Sequence, residues 1–491
     1  MHGGLFRKLR RVRVAISLYV IIATIIGSFA DGLIFEPIPI AEAAEVAIDS
    51  NVSTTVTEQL QSGTNSVFID DQTGYKFFVD EPGYCVYRKT TDGGATWSAT
   101  TTVDSQTDCT QISIWYDKWT PGSASSSIHI ATLDPSADDI WYNRLDTSGD
   151  TLLLGSAPVS MYTGSGQGGT SLTAGENFVS ITRATDGTIY AVSNDGSGAN
   201  DSAVMECTVS CNVAANWTER TVLPLDVASD QNILMPLAGG DIMIIQRDIS
   251  ANLLRSRVWD ESAGSWLAWT TIDPIGGGDN TTYDVGFSAT VSSTTPGNVY
   301  LAYAADYDVI DGNEDVRVGF YNGTSWSTST LTNVISNNAS RGITGVAIAI
   351  DTSNEDVYVA YSARTTPLTA NTANIYWKVA TSSMKNWSTE RGPVNVGQDE
   401  IYGIDLNIAS NERIFVSWYE TASDDIYGDT IADIFPGVHA TGTGTQTATT
   451  FASTSNVYIG GKFVLYDTYR SHDVTGITLT ESGTRCEYRS R

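Results

Sequence analysis

The sequence predicts an all-β fold, a β-propeller of four-stranded antiparallel blades. Three observations carry this. Units of roughly 40–60 residues recur, each made of short alternating apolar runs divided by turn residues. Tryptophans recur at 97, 217, 266, 326 and 387, the last four at intervals of 49, 60 and 61. No stretch after residue 45 sustains a 3.6-residue apolar period, and the chain is rich in Thr, Ser, Gly and Asn.

The clearest units lie in the second half. One runs from the strand Val285–Val291 through Asn298–Tyr303, Asp315–Tyr321 and a strand led by Trp326. The next repeats the order with Ile343–Ile350, Asp356–Tyr361, Asn374–Val379 and Trp387. A third has Ile401–Ile408, Arg413–Trp418 and Asp425–Tyr427. Weaker copies occupy 66–104, 108–160, 176–226 and 229–274, with last strands starting at Trp97, Leu152, Trp217 and Trp266. One such meander has two open edges and two apolar faces and cannot stand alone; a ring of them buries the faces. The count is seven, with six as the alternative. The seventh unit loses its pattern after about Pro436, so Val46–Leu60 is expected to supply its fourth strand and close the ring. The propeller is thus expected over 46–436.

Arg7–Arg13 precede an apolar run, Val14–Ala30, with small residues at Ala41, Ala43 and Ala44, so 1–43 reads as a signal peptide or an uncleaved signal anchor. Either places the body outside the cytoplasm, at a cell surface or beyond. The net charge is −29, and the first 43 residues are more basic than acidic, so the acidity belongs to the body. Such a surface repels nucleic acid and anionic lipid. Five cysteines fit an oxidising compartment. Cys207 with Cys211 and Cys85 with Cys109 are the preferred pairs, and Cys486 is left over. Thr441–Thr450 lies in a Thr/Gly-rich linker, 437–450. The remainder, 451–491, reads as a short C-terminal β segment, an incomplete module or truncated tail. Asn216, Asn322 and Asn386 open N-x-S/T sequons.

Between the third and fourth strands of the first unit stands Thr90, Asp92, Gly94, Thr96 and Trp97. This resembles the Asp-box, or BNR repeat, of the sialidase-like propeller superfamily. The full pattern occurs once; other units keep the Trp and a polar turn. The resemblance implies a structural turn away from the active face, with Asp92 accepting turn amides, Gly94 left-handed and Trp97 in the blade core.

The same resemblance defines what an enzyme would need: a Tyr nucleophile with a Glu partner, an Asp acid and three arginines clamping a carboxylate. The family's early Arg motif is absent, and no Arg stands between Arg13 and Arg88. Arginines at strand ends are Arg183, Arg247, Arg341 and Arg364. His129 is the one histidine of the repeat region, so a Ser-His-Asp triad lacks a base.

The second loop of each unit and the inter-unit loop are the long ones and fall on one face, where Asp134, Asp138, Asp139, Asp195, Asp201, Asp424 and Asp425 gather. On that face Tyr303, Tyr361 and Trp418 share a register, as sugar platforms or as repeated packing positions; Arg364, Arg341 and Arg247 would assist a ligand. Asp306, Asp308, Asp311 and Asp315 are oxygen-rich enough for Ca²⁺ without EF-hand spacing, against the plainer reading of a solvated acidic loop. The expected function is a non-catalytic binding or adhesion module for glycans, a monomeric propeller within a larger surface protein, membrane-bound only through an uncleaved anchor. The alternatives are a sialidase-type glycoside hydrolase and a structural surface component.

Overall fold

The computed structural model describes residues 45–431, apart from 51, 54–63, 82, 135–138, 162–177, 195–201, 221–230, 249–250, 276–285, 309–312, 336–342, 344, 353–354, 365–372, 395–400, 409–413 and 421. The expected targeting segment, linker and C-terminal β segment lie outside them.

Seven antiparallel meanders form a ring, the expected seven-bladed propeller. Blade 1 comprises Ser66–Phe68, Gly74–Val79, Cys85–Thr90 and Thr101–Asp104, hydrogen-bonded in that order. Blade 5 is the most regular, with Phe287–Val291, Asn298–Asp308, Asn313–Asn322 and Trp326–Ile335. Blade 7 takes Ile401–Ile408, Ile414–Glu420 and Asp425–Ile431 from its own unit, and its outer strand is Val46–Asp49 from the N-terminal side. The expected closure is present, with Ala47 opposite Tyr427.

The fourth strands depart most from expectation. In blade 1 Trp97 does not open the strand; Ser98 N–H donates to Lys89 O and the Ser98 hydroxyl accepts from Lys89 N–H. A side chain thus takes one ladder position, and the strand restarts at Thr101. Blade 2 divides its outer position between Thr151–Leu152 and Val159–Ser160. Blade 4 does so between Ser265–Trp266 and Thr270–Pro274. In blade 6 the outer segment meets the third strand at isolated bridges, Ala380 to Trp387 and Trp377 to Arg391, with further bonds from Val394 N–H to Ile375 O at 2.9 Å and from Val379 N–H to Ser388 Oγ at 3.1 Å.

Both faces of each blade are apolar, so the core is a set of seams between neighbours. The recurrent tryptophans belong to these seams rather than to one blade's interior. Trp97 lies 5.7 Å from the Phe415 ring of blade 7, and Trp217 lies 5.2 Å from Tyr142 of blade 2. Trp326 donates Nε1–H to Ser256 Oγ of blade 4 at 2.9 Å. Each reaches back to the preceding blade. Nearer the axis, side chains of innermost strands accept amides from the next blade. Ile181 N–H reaches Ser113 Oγ at 3.4 Å, Leu234 N–H reaches Ser180 Oγ at 3.1 Å, and Ile348 N–H reaches Ser288 Oγ at 3.3 Å. At the closing seam Asn407 Oδ1 takes this role toward Phe68 N–H at 2.8 Å.

Both expected disulfides are present, each with Cα atoms 5.7 Å apart. Cys85–Cys109 ties blade 1's third strand to the connection entering blade 2, and Cys207–Cys211 closes a turn in blade 3. Among the described residues no helix is long and apolar enough to cross a membrane.

Candidate functional site

The innermost strands surround the axis, and a shallow pocket open to solvent lies among their C-terminal ends. Its lining includes Trp115 and Trp119 of blade 2, Thr290 and Ser293 of blade 5, Thr352 of blade 6 and Asn407 of blade 7; apolar Ile, Val, Leu and Ala side chains complete it. Trp119, Ser293 and Thr352 stand in the first turns of their blades. The pocket therefore opens on the first-turn face, opposite the face expected to bind. The sequence reading weighted loop length and acidity, whereas depth at a propeller's axis follows from side-chain volume at the ends of the inner strands. The long second loops of blades 2, 3, 5 and 6 fall largely outside the described residues.

No ionisable side chain lines the pocket among the described residues. Asn407 is committed, accepting from Phe68 and donating Nδ2–H to Ser66 O at 3.1 Å. Ser293 Oγ–H donates to Glu355 Oε1 at 2.7 Å, and Ser292 Oγ–H to Glu355 Oε2 at 2.6 Å. Glu355 sits in the left-handed region at φ 61° and ties the first turn of blade 6 to that of blade 5. Thr64, Thr290 and Thr352 also belong to the wall.

Trp119 is half-buried and is held from two sides. Its ring meets Trp115 edge-on at 5.6 Å and Tyr116 at 6.1 Å. Its short helical turn begins at Asp117, a buried carboxylate. Asp117 Oδ1 accepts from His129 Nε2 at 3.0 Å and lies 3.2 Å from Arg183 NH1; Oδ2 accepts from Ser127 N–H at 2.9 Å. Burial alone would raise this carboxyl, but the His129 hydrogen bond, with Ser127 and Arg183, brings it down to about 2. Burial lowers His129. Its Nδ1 lies 2.8 Å from the Tyr142 hydroxyl, so both ring nitrogens are engaged. Arg183 also donates to Ser123 Oγ, and its carbonyl accepts from Thr120 Oγ1 at 2.7 Å, which in turn accepts from Trp115 Nε1. The loop carrying Trp119 is thus fastened to blade 3.

The expected platforms are seam residues. Tyr303, Tyr361 and Trp418 are 1%, 0% and 0% exposed, in the seams of blades 5, 6 and 7 with their predecessors. A fully enclosed ring offers no face to a sugar, so their shared register reflects packing. The Tyr303 hydroxyl donates to Asp273 at 2.6 Å, and Arg317 pairs with the same carboxylate. Tyr361 donates to Glu390, a Tyr–Glu pair, but Glu390 stands on the outer segment of blade 6, away from the axis. Arg247 lies on the second strand of blade 4, in Ile242–Asp248, and does not line the pocket. Arg341 and Asp311 lie outside the described residues, as do the side chains of Arg364, Asp306 and Asp308. Asp315 is half-buried in its strand, opposite Ala305. Among the described residues no group of three potential metal ligands converges.

The turn after blade 1's third strand is built as its residues suggested. Asp92 Oδ1 accepts from Thr96 N–H and Thr90 Oγ1–H, each at 2.8 Å, and Oδ2 accepts from the Thr96 hydroxyl at 2.5 Å. Gly94, at φ 94°, donates to Thr90 Oγ1 at 2.9 Å. A Cβ there would stand 3.0 Å from the Phe415 ring.

No known protein family and no curated protein matches the chain. Among solved structures it is similar to the fucose lectin of Aleuria aurantia, at 12% identity over 69% of this chain and 96% of that one, with a TM-score of 0.38. It is also similar to a polysaccharide lyase acting on ulvan, at 10% identity over 79% and 94%, TM-score 0.47. A third is YCF48 bound to a D1 peptide, at 14% identity over 81% and 98%, TM-score 0.43. The Aleuria lectin is a six-bladed propeller, one blade fewer than this ring. None of these likenesses bears on what the protein binds.

Proposed function

We propose that the protein is an exported, cell-surface propeller that binds rather than cuts, and that its axial pocket takes a neutral sugar. The observation that carries this is the pocket's chemistry: a half-buried indole clamped at its rim, threonines in its wall and, among the described residues, no ionisable lining side chain. An indole face stacks on the C–H face of a sugar ring, and hydroxyls exchange hydrogen bonds with its hydroxyls. Both disulfides support an oxidising destination. A sialidase-type reaction needs arginines and a Tyr–Glu pair around one cleft. Little supports that reading, since none of the described arginines and neither member of the Tyr361–Glu390 pair lines the pocket.

The test is a glycan array with and without calcium, run beside a fluorogenic sialoside assay. The reading expects calcium-independent binding of neutral glycans that W119A abolishes, and no turnover. Sialoside turnover, or binding that survives W119A, overturns it.

A further inference from the structure

A cation–aromatic cluster lies at the outer seam of blades 3 and 4. Arg220 of blade 3 lies 5.5 Å from the Trp259 ring of blade 4. Arg255 lies 4.4 Å from the Trp269 ring, and Arg257 lies 5.9 and 5.8 Å from the rings of Trp266 and Trp269. Two of these arginines are answered by carboxylates: Arg220 bonds Glu206, and Arg255 NH1 lies 2.9 Å from Asp248. Arg257 differs. Its Nε–H caps the Leu267 carbonyl, and among the described residues it forms no ion pair.

Leu267 belongs to the break in blade 4's outer strand, between Ser265–Trp266 and Thr270–Pro274. The break leaves Leu267 49% exposed and Trp269 half-exposed. In a chain of net charge −29, this part-exposed cation stands against two indoles beside an exposed apolar side chain. Structure alone needs only the Nε–H; the two terminal nitrogens of the guanidinium remain.

We propose that this seam is a second binding site, for an acidic sugar unit of the uronate class. The ring's C–H face lies on Trp269, and its carboxylate takes the terminal nitrogens of Arg257, the paired geometry guanidinium favours. The site is independent of the axial pocket, which has no charged lining residue among the described residues. The acidity of the rest of the surface limits it to a short anionic segment rather than a long polyanion.

The experiment is titration calorimetry of the full chain with tetragalacturonate and with neutral galactotetraose, at low and high salt. R257Q, R257K, W269A and W119A are compared with the parent. Tetragalacturonate is expected to bind, less tightly at high salt, and to weaken about tenfold or more in R257Q and in W269A. R257K keeps the charge but not the paired geometry, and falls between. W119A leaves this binding unchanged, which separates it from the axial pocket. Equal binding of galactotetraose, unchanged binding in W269A, loss in W119A, or preference for a short polyglutamate peptide each overturns the assignment. If loss of the Leu267 cap unfolds R257Q and R257K, W269A still decides the matter.

Discussion

Lys76 and Asp405 face each other across the closing seam of the ring, 3.8 Å apart and both buried. Lys76 also donates to Asn65 Oδ1, and Asp405 accepts from Asn65 N–H at 3.1 Å. Burial outweighs the attraction of Asp405 and lowers the ammonium to about 8, while burial raises the carboxyl. For the lysine, the unfolded chain holds more protons than the folded one between pH 8 and the ordinary value of 10.5, so stability rises with pH across that window. Urea midpoints should climb by the equivalent of about 2 kcal/mol from pH 8 to 9.5. The double variant K76M/D405L should lose this slope while remaining folded.

The inner-strand serines make a second prediction. Ser180 Oγ is the acceptor for the buried Leu234 amide at 3.1 Å. S180A leaves that amide without its partner at the seam of blades 3 and 4, a cost of about 1–3 kcal/mol in equilibrium unfolding. An exposed serine changed in the same way, such as Ser262, should cost about 0.5 kcal/mol or less.

The two disulfides close loops of very different length, with sequence separations of 24 and 4. On chain-entropy grounds C85S/C109S should lose about 3.5 kcal/mol and C207S/C211S about 2 kcal/mol. Chemical denaturation of the two double variants checks the order. The order should hold whatever the absolute values.

Asp117 is a positioning residue for Trp119. D117N removes the charge that holds Arg183 and His129 while keeping the side chain's size. Neutral-glycan affinity should fall about tenfold, a loss of positioning rather than of contact. The circular-dichroism band of the coupled Trp115–Trp119 pair should weaken in the same variant without any ligand, which a purely global loss of stability would not produce at low temperature.

Much of the ring was legible because strand alternation, turn residues and unit spacing are local. The closing strand was legible too, since the seventh unit is one strand short and Val46 opens a β-branched run. What alternation does not reveal is exposure, because both faces of a blade are buried. Tyr303, Tyr361 and Trp418 therefore looked alike as platforms and as packing. The unit spacing puts Trp97 at a strand start, yet of the recurrent tryptophans Trp326 alone opens a described strand; the Ser98 hydroxyl takes a ladder position, as Ser388 does toward Val379 N–H, while the same Trp-Ser pair at 326–327 keeps a regular strand, so the pair does not separate the two outcomes. Ser113, Ser180 and Ser288 do share a position in their inner strands, and aligning those strands would have found them. The pocket's side of the ring was not legible, since the volume at an axis depends on seven strands at once. Trp119 lies in an unrepeated insertion that no neighbouring unit predicts.

The pairing of Ala47 with Tyr427 joins residues 380 apart along the chain. During synthesis Val46–Asp49 emerges long before Asp425–Ile431 and must wait, unpaired, for it to appear. A polypeptide halted anywhere short of that final meander leaves an open arc with a raw seam at each end, sticky and vulnerable to proteolysis. Production of this protein is therefore close to all-or-nothing, since an unfinished circle has to be sheltered until its two ends meet.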